Sequence, residues 1–103
     1  MEKQIVYVEM DGVLVDFNEK LSRYPKELVD EYRNDDRLDE IPELFDDMIP
    51  INGAIDGFKK LCEKYDVYIL STAPWGNDSS WTDKLKWVKK YLPEHGYKRL
   101  ILS

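Results

Sequence analysis

The stretch Val6–Phe17, VYVEMDGVLVDF, decides how the rest of the chain is read. An apolar run stops at Glu9, a second acid follows at Asp11, and Gly12 comes directly after it. Two structures suit this pattern. Asp-Gly between alternating apolar residues favours a type I′ turn, and pairing Met10 with Val13 and Val8 with Val15 would gather apolar side chains on one face. Taken alone, the window favours that hairpin. The other reading ends a strand of a parallel sheet near Glu9 and leaves two carboxylates at its tip.

The rest of the chain weighs toward the strand end. Asp66–Leu70, DVYIL, is a second short apolar run of strand type, followed by the polar loop STAPWGNDSS; RLILS at 99–103 is a third. Between them, INGAIDGFKKLCEKY carries Ala54, Phe58, Leu61, Cys62 and Tyr65 at helical spacing, with Asn52 available as a cap. In SWTD, Ser80 and Asp83 have the spacing of a capping box for a helix bearing Trp81, Leu85, Val88 and Leu92 on one face, and PEHG ends it. A lone hairpin explains none of this.

From Asn18 to Met48 the chain turns acidic and amphipathic. Pro25 opens a helix with Leu28, Val29 and Tyr32 on one face, NDDRLDE interrupts it, and a second short helix is expected over about Ile41–Met48. The order is strand, helical insert, helix, strand, helix, strand. Strands separated by helices of this length pair in parallel through right-handed crossovers. The predicted fold is α/β, a Rossmann-like three-layer sandwich with three parallel strands in a single domain over 1–103, carrying a small helical cap insert at about 18–50. Because Ile5–Met10 is mostly apolar, the first strand reads as covered on both faces.

Composition sets limits on the function. At 103 residues there is room for one core, and 43% apolar residues with only five Pro and five Gly mark a globular chain, not a disordered one. Twenty-one acids against 15 bases give a net charge of −6 without a basic patch, which argues against duplex nucleic acid as a partner. No leader pattern opens the sequence and nowhere do 18 apolar residues run together, so no membrane association and a cytoplasmic location are expected. The single cysteine, Cys62, excludes an intramolecular disulfide and a cysteine-based zinc cluster, and reads as a small buried residue. His95 reads as a helix-end residue, and Trp81 and Trp87 as packing residues on a helix.

Chemistry gathers at two strand ends. In open α/β sheets the ligand site lies outside the carboxyl ends of the strands. Acids at i and i+2 of an extended tip project to one side, so one can attack phosphorus while the other moves a proton to and from the departing and entering oxygens. The Ser71 hydroxyl and backbone N–H groups at the next strand end can hold phosphoryl oxygens. Carboxylate and carbonyl oxygens suit Mg²⁺, which keeps several waters and bridges to phosphate.

MDGVLVDF, followed much later by YDVYILSTAPW and KLKWVKKYL, resembles the haloacid-dehalogenase-like phosphohydrolases, and among them the 5'(3')-deoxyribonucleotidase-like family, over the whole chain. The resemblance implies a Mg²⁺-dependent phosphomonoesterase acting on nucleoside monophosphates or other small phosphate esters. It puts Glu9 at the nucleophile and Asp11 at the general acid/base, both of them also metal ligands, and Ser71, Thr72 and Gly12 around the phosphate. Phe17 and Trp75 are the aromatic candidates for substrate contact.

Two departures accompany the match. The family nucleophile is Asp, and the extra methylene of Glu9 displaces the carboxylate by roughly an ångström, which can cost about 10²-fold in rate. The family also continues past the last strand to a lysine that neutralises the phosphoryl group and to an acidic pair that completes the metal site, and neither is read in this chain. A non-catalytic relative that binds a nucleotide or another protein is therefore the alternative. The strand expected beside the first one is also missing, which leaves Ile5–Glu9 an unpaired edge and predicts a homodimer through that strand, or a second polypeptide.

Overall fold

A computed structural model describes residues 2–103. Three strands, β1 (Ile5–Glu9), β2 (Asp66–Ser71) and β3 (Leu100–Leu102), form one parallel sheet in the order β1-β2-β3. Ile5 pairs with Asp66 and Glu9 with Leu70, while Ser71 pairs with Leu102. Helices α1 (Phe17–Leu21) and α2 (Lys26–Asn34) follow β1, α3 (Ala54–Lys64) leads into β2, and α4 (Ser79–Tyr91) connects β2 to β3. The fold is α/β and Rossmann-like, and the hairpin is excluded because β1 ladders with β2 and not with the residues after Gly12.

What turns the chain after Glu9 is a knot of hydrogen bonds on one carbonyl. Met10 O accepts from the N–H groups of Val13, Leu14 and Val15 at 3.3, 2.9 and 3.0 Å, and Gly12 takes φ = +76° to permit it. A side chain at that φ would be strained, so the Asp-Gly pair serves a turn away from the sheet. Asp16 then caps α1, its Oδ1 accepting from Glu19 N at 3.0 Å.

Successive right-handed crossovers that step the same way put α3 and α4 on one face of the sheet. On that face Val67 and Ile69 are buried in one cluster with Phe58 of α3 and Trp87 and Val88 of α4. The opposite face carries Ile5, Tyr7, Leu70 and Ile101, each between 39% and 57% exposed. The expectation that β1 is covered on both faces is thus corrected: among the described residues helices cover only one, and β1 is also an edge.

The insert departs from expectation in its second half. Ile41, Leu44, Phe45 and Met48 are all buried, as a helical stripe would require, yet the segment is a series of turns after a 3₁₀ turn at Leu38–Glu40. Glu43 and Asp47 have φ of +62° and +52°, which no α-helix accommodates. Side chains from elsewhere satisfy its carbonyls instead: Tyr24 Oη donates to Pro42 O at 2.9 Å, Trp87 Nε1 to Met48 O at 3.0 Å, and Lys20 Nζ to Asp46 O. Two expected caps also differ. Gly53 at φ = +82°, not Asn52, precedes α3, and α4 begins at Ser79 without a side-chain cap bond.

Candidate functional site

The turn after β1 and the end of β2 bring the acids and hydroxyls together. Glu9, Met10 and Asp11 line a cavity of about 350 Å³ with Leu70, Ser71, Thr72 and Ser103, at the carboxyl end of the sheet. A second cavity, also about 350 Å³, lies between the insert and the sheet end and is lined by Asp11, Gly12, Phe17, Asn18, Asp39, Phe45, Thr72 and Pro74. Asp11 and Thr72 belong to both.

At the junction sits a residue the sequence reading assigns to no site, Lys84. Its side chain is 1% exposed, and Nζ donates to Ser71 Oγ at 2.7 Å, to Thr72 O at 2.7 Å and to Asp11 Oδ2 at 3.1 Å. The ammonium also lies 4.4 Å from the centre of the Phe45 ring, within cation–π range. Burial lowers the lysine's pKa from its ordinary value of 10.5, and the Asp11 carboxylate opposes that shift. This buried cation lies in α4, between β2 and β3 in the chain, and not beyond β3.

The reason it was missed is the rotation of α4. The apolar stripe Trp81, Leu85, Val88, Leu92 points to a buried face, but Trp81 and Leu85 are 39% and 43% exposed, while Ser80, Lys84, Trp87 and Val88 are buried. Ser80 and Lys84 stand at i and i+4, one turn below Trp87 and Val88 and on the same face. A polar pair continuing an aromatic stripe was the available signal. Trp87 packs on Tyr91 with ring centres 5.0 Å apart, in keeping with a packing role.

The other candidates sort as follows. Ser71 is buried and held by Lys84, and Thr72 offers its carbonyl to the same ammonium. Glu9 is exposed at the rim of the first cavity, and Gly12 and Phe17 line the second. The Phe17 ring sits 6.3 Å from that of Phe45. Trp75 is 93% exposed and lines neither cavity. His95 borders a pocket with Glu2, Lys3, Cys62 and Arg99 away from the two site cavities.

The donor set offers Mg²⁺ two carboxylates in one cavity. Asp11 Oδ1 is buried with no hydrogen-bond partner among the described residues, an oxygen free to take a cation. Glu9 supplies a second carboxylate to the same cavity. No group of three or more His, Cys, Asp or Glu able to hold a metal occurs among the described residues. One or two carboxylates completed by water and phosphate is a usual Mg²⁺ environment, so these residues fit it.

No helix among the described residues is long and apolar enough to cross a membrane. No family model matches the chain. It is similar to a protein of Vibrio phage KVP40 named "Putative 5'(3')-deoxyribonucleotidase", with 50% identity over 105 aligned residues covering 99% of this chain and 59% of that protein. The chain thus spans less than two thirds of a relative that carries a nucleotidase name.

Proposed function

We propose that the chain carries the phosphate-holding half of a haloacid-dehalogenase-like 5'-nucleotidase site, acting on nucleoside monophosphates, with turnover held down by Glu9. The observation that carries this reading is the buried Lys84 ammonium shared by Asp11, Ser71 and Thr72. A buried cation whose partners Asp11, Ser71 and Thr72 line the cavity at the end of a parallel sheet is suited to a phosphoryl group that reaches past them. The nucleotidase name of the Vibrio phage relative supports the substrate class.

In this reading a Glu9 carboxylate oxygen bonds to phosphorus as the ester P–O bond breaks, and Asp11 gives its proton to the departing alcohol oxygen. Water then attacks the acyl phosphate, Asp11 takes the proton, and phosphate leaves. Lys84 balances Asp11 when it is ionised and turns toward the phosphoryl oxygens when Asp11 is protonated. Glu9 and the Asp11 backbone carbonyl would hold Mg²⁺, which when bound would supply charge neutralisation for the phosphate.

A non-catalytic nucleotide-binding role is the second reading, favoured by the exposed Glu9 at the nucleophile position. Release of phosphate from thymidine 5'-monophosphate with Mg²⁺ separates the two. Slow release abolished by Asp11→Asn supports the enzyme, binding without release supports the second reading, and absence of both removes the nucleotidase assignment. The bare sheet face and the β1 edge further support a homodimer through β1 or a second polypeptide covering it. A nucleotide substrate fits a cytoplasmic location.

A further inference from the structure

The loop leaving β2 meets the insert at Asn77, a polar residue only 7% exposed. Its Nδ2 donates to Asp39 O at 3.2 Å and to Ile41 O at 3.3 Å, and its Oδ1 accepts from Ser79 Oγ at 3.1 Å. Its backbone is tied into the same loop, N donating to Pro74 O at 3.1 Å and O accepting from Ser80 N at 3.0 Å and Ser80 Oγ at 2.6 Å. Every polar atom of Asn77 is engaged, and the amide spans 36 to 38 residues of sequence.

Beside it, Gly76 lets the two segments touch. A Cβ built there would lie 2.1 Å from Glu40 Oε1, so any other residue would push the Glu40 side chain away. The insert segment seated here contributes Asp39 and Phe45 to the second cavity, and the loop contributes Thr72 and Pro74. Since residues 41–47 are turns without a helix's own hydrogen-bond ladder, their position depends on such outside donors.

We propose that Asn77 is a positioning residue that seats the insert on the β2 loop and so fixes the cavity receiving the part of a phosphate ester beyond its phosphorus. This rests on the phosphate-ester reading above. Asn77 touches no reacting atom; it sets the distance between Asp39 and Phe45 on one wall and Thr72 and Pro74 on the other. Phosphate in this reading is held by Lys84 and Ser71, whose side-chain hydrogen bonds run to Asp11, Thr72 and each other and not to the insert, which touches Lys84 through the Phe45 ring.

The test uses the full chain and Asn77→Ala, with amide hydrogen exchange and NMR titration by inorganic phosphate and by thymidine 5'-monophosphate. Losing two amide bonds should speed exchange at Leu44 and Asp46 about tenfold, with β1 and β2 unchanged. Affinity for the nucleotide should fall about tenfold while that for inorganic phosphate stays the same. Uniformly faster exchange, unchanged exchange in the insert, or equal loss of both ligands overturns the proposal. If Asn77→Ala does not fold, Asn77→Asp keeps the shape and the Ser79 acceptor but removes the Nδ2 donor to Asp39 O and Ile41 O, and should give the same pattern. Wild-type protein that binds neither ligand overturns the ligand half of the proposal together with the phosphate-ester reading, whereas exchange, which needs no ligand, reports failure of the seat alone.

Discussion

Replacing Lys84 by methionine separates what that residue does for the fold from what it does for a ligand. Methionine keeps an unbranched apolar stem and deletes the ammonium, so three hydrogen bonds and the cation–π contact with Phe45 vanish with little change in volume. Two of the acceptors recover in part. Ser71 can redirect its own hydroxyl, and the Asp11 side chain is 35% exposed and can be hydrated. The Thr72 carbonyl is left on an exposed residue. At about 1 kcal/mol for each bond not replaced, and with relief from burying a charge, the net loss should be about 1–2 kcal/mol. That moves a urea midpoint by about 1 M at an m-value of about 1–2 kcal/mol/M.

Phosphate binding should suffer more. A charge-assisted hydrogen bond is worth about 1.5–3 kcal/mol, which converts to a 10- to 150-fold weaker dissociation constant for inorganic phosphate by calorimetry. The pH dependence gives an independent reading. Burial sets the folded pKa of Lys84 below its ordinary 10.5, so between those values the unfolded chain binds more protons and the lysine's contribution to stability rises with pH. The wild-type advantage over Lys84→Met should grow toward pH 10.5 while phosphate affinity declines. Lys84→Met with wild-type phosphate affinity but the expected stability loss would refute the anion-site argument and leave Lys84 a structural residue.

Glu9→Asp should raise the rate of phosphate release from thymidine 5'-monophosphate by up to about 10²-fold if nucleophile reach limits turnover, and no gain in steady-state assay would place the limit elsewhere. Tyr7→Lys puts a charge on the bare sheet face, where Tyr7 lies 6.1 Å from Tyr68, and should shift sedimentation toward the monomer with the melting temperature little changed. Burial foremost, with help from Asp46, raises the Asp83 pKa above 3.8, so the folded chain binds more protons and loses stability as pH rises through that window. Asp83→Asn should therefore be more stable than wild type at pH 7, with the gap closing below about pH 4 in thermal melts.

Local signals in the sequence carried the sheet and most of the site. β1 and β2 are contiguous apolar runs, the helices between them impose parallel pairing, and the Glu9, Asp11, Ser71 and Thr72 cluster follows because strand ends in such a sheet share one side. The Ile41–Met48 stripe shows where local pattern stops. Its i, i+3, i+4, i+7 spacing reports burial correctly, but burial spacing is silent on hydrogen bonding, and donors from Tyr24, Lys20 and Trp87 replaced the helical ladder.

By itself, then, the sequence determined the strands, their direction and which residues meet at the tip of β1 and β2, because those follow from periodicity and chain connectivity. Only the tertiary structure decided that α4 turns Ser80 and Lys84 inward, that Trp75 points to solvent, and that Asn77 ties the insert to the loop. The physical reason is the same in each case. A helix with two possible faces, or a loop with no period, is oriented by which partners distant in sequence can satisfy its polar groups, and those partners exist as neighbours only once the chain has folded.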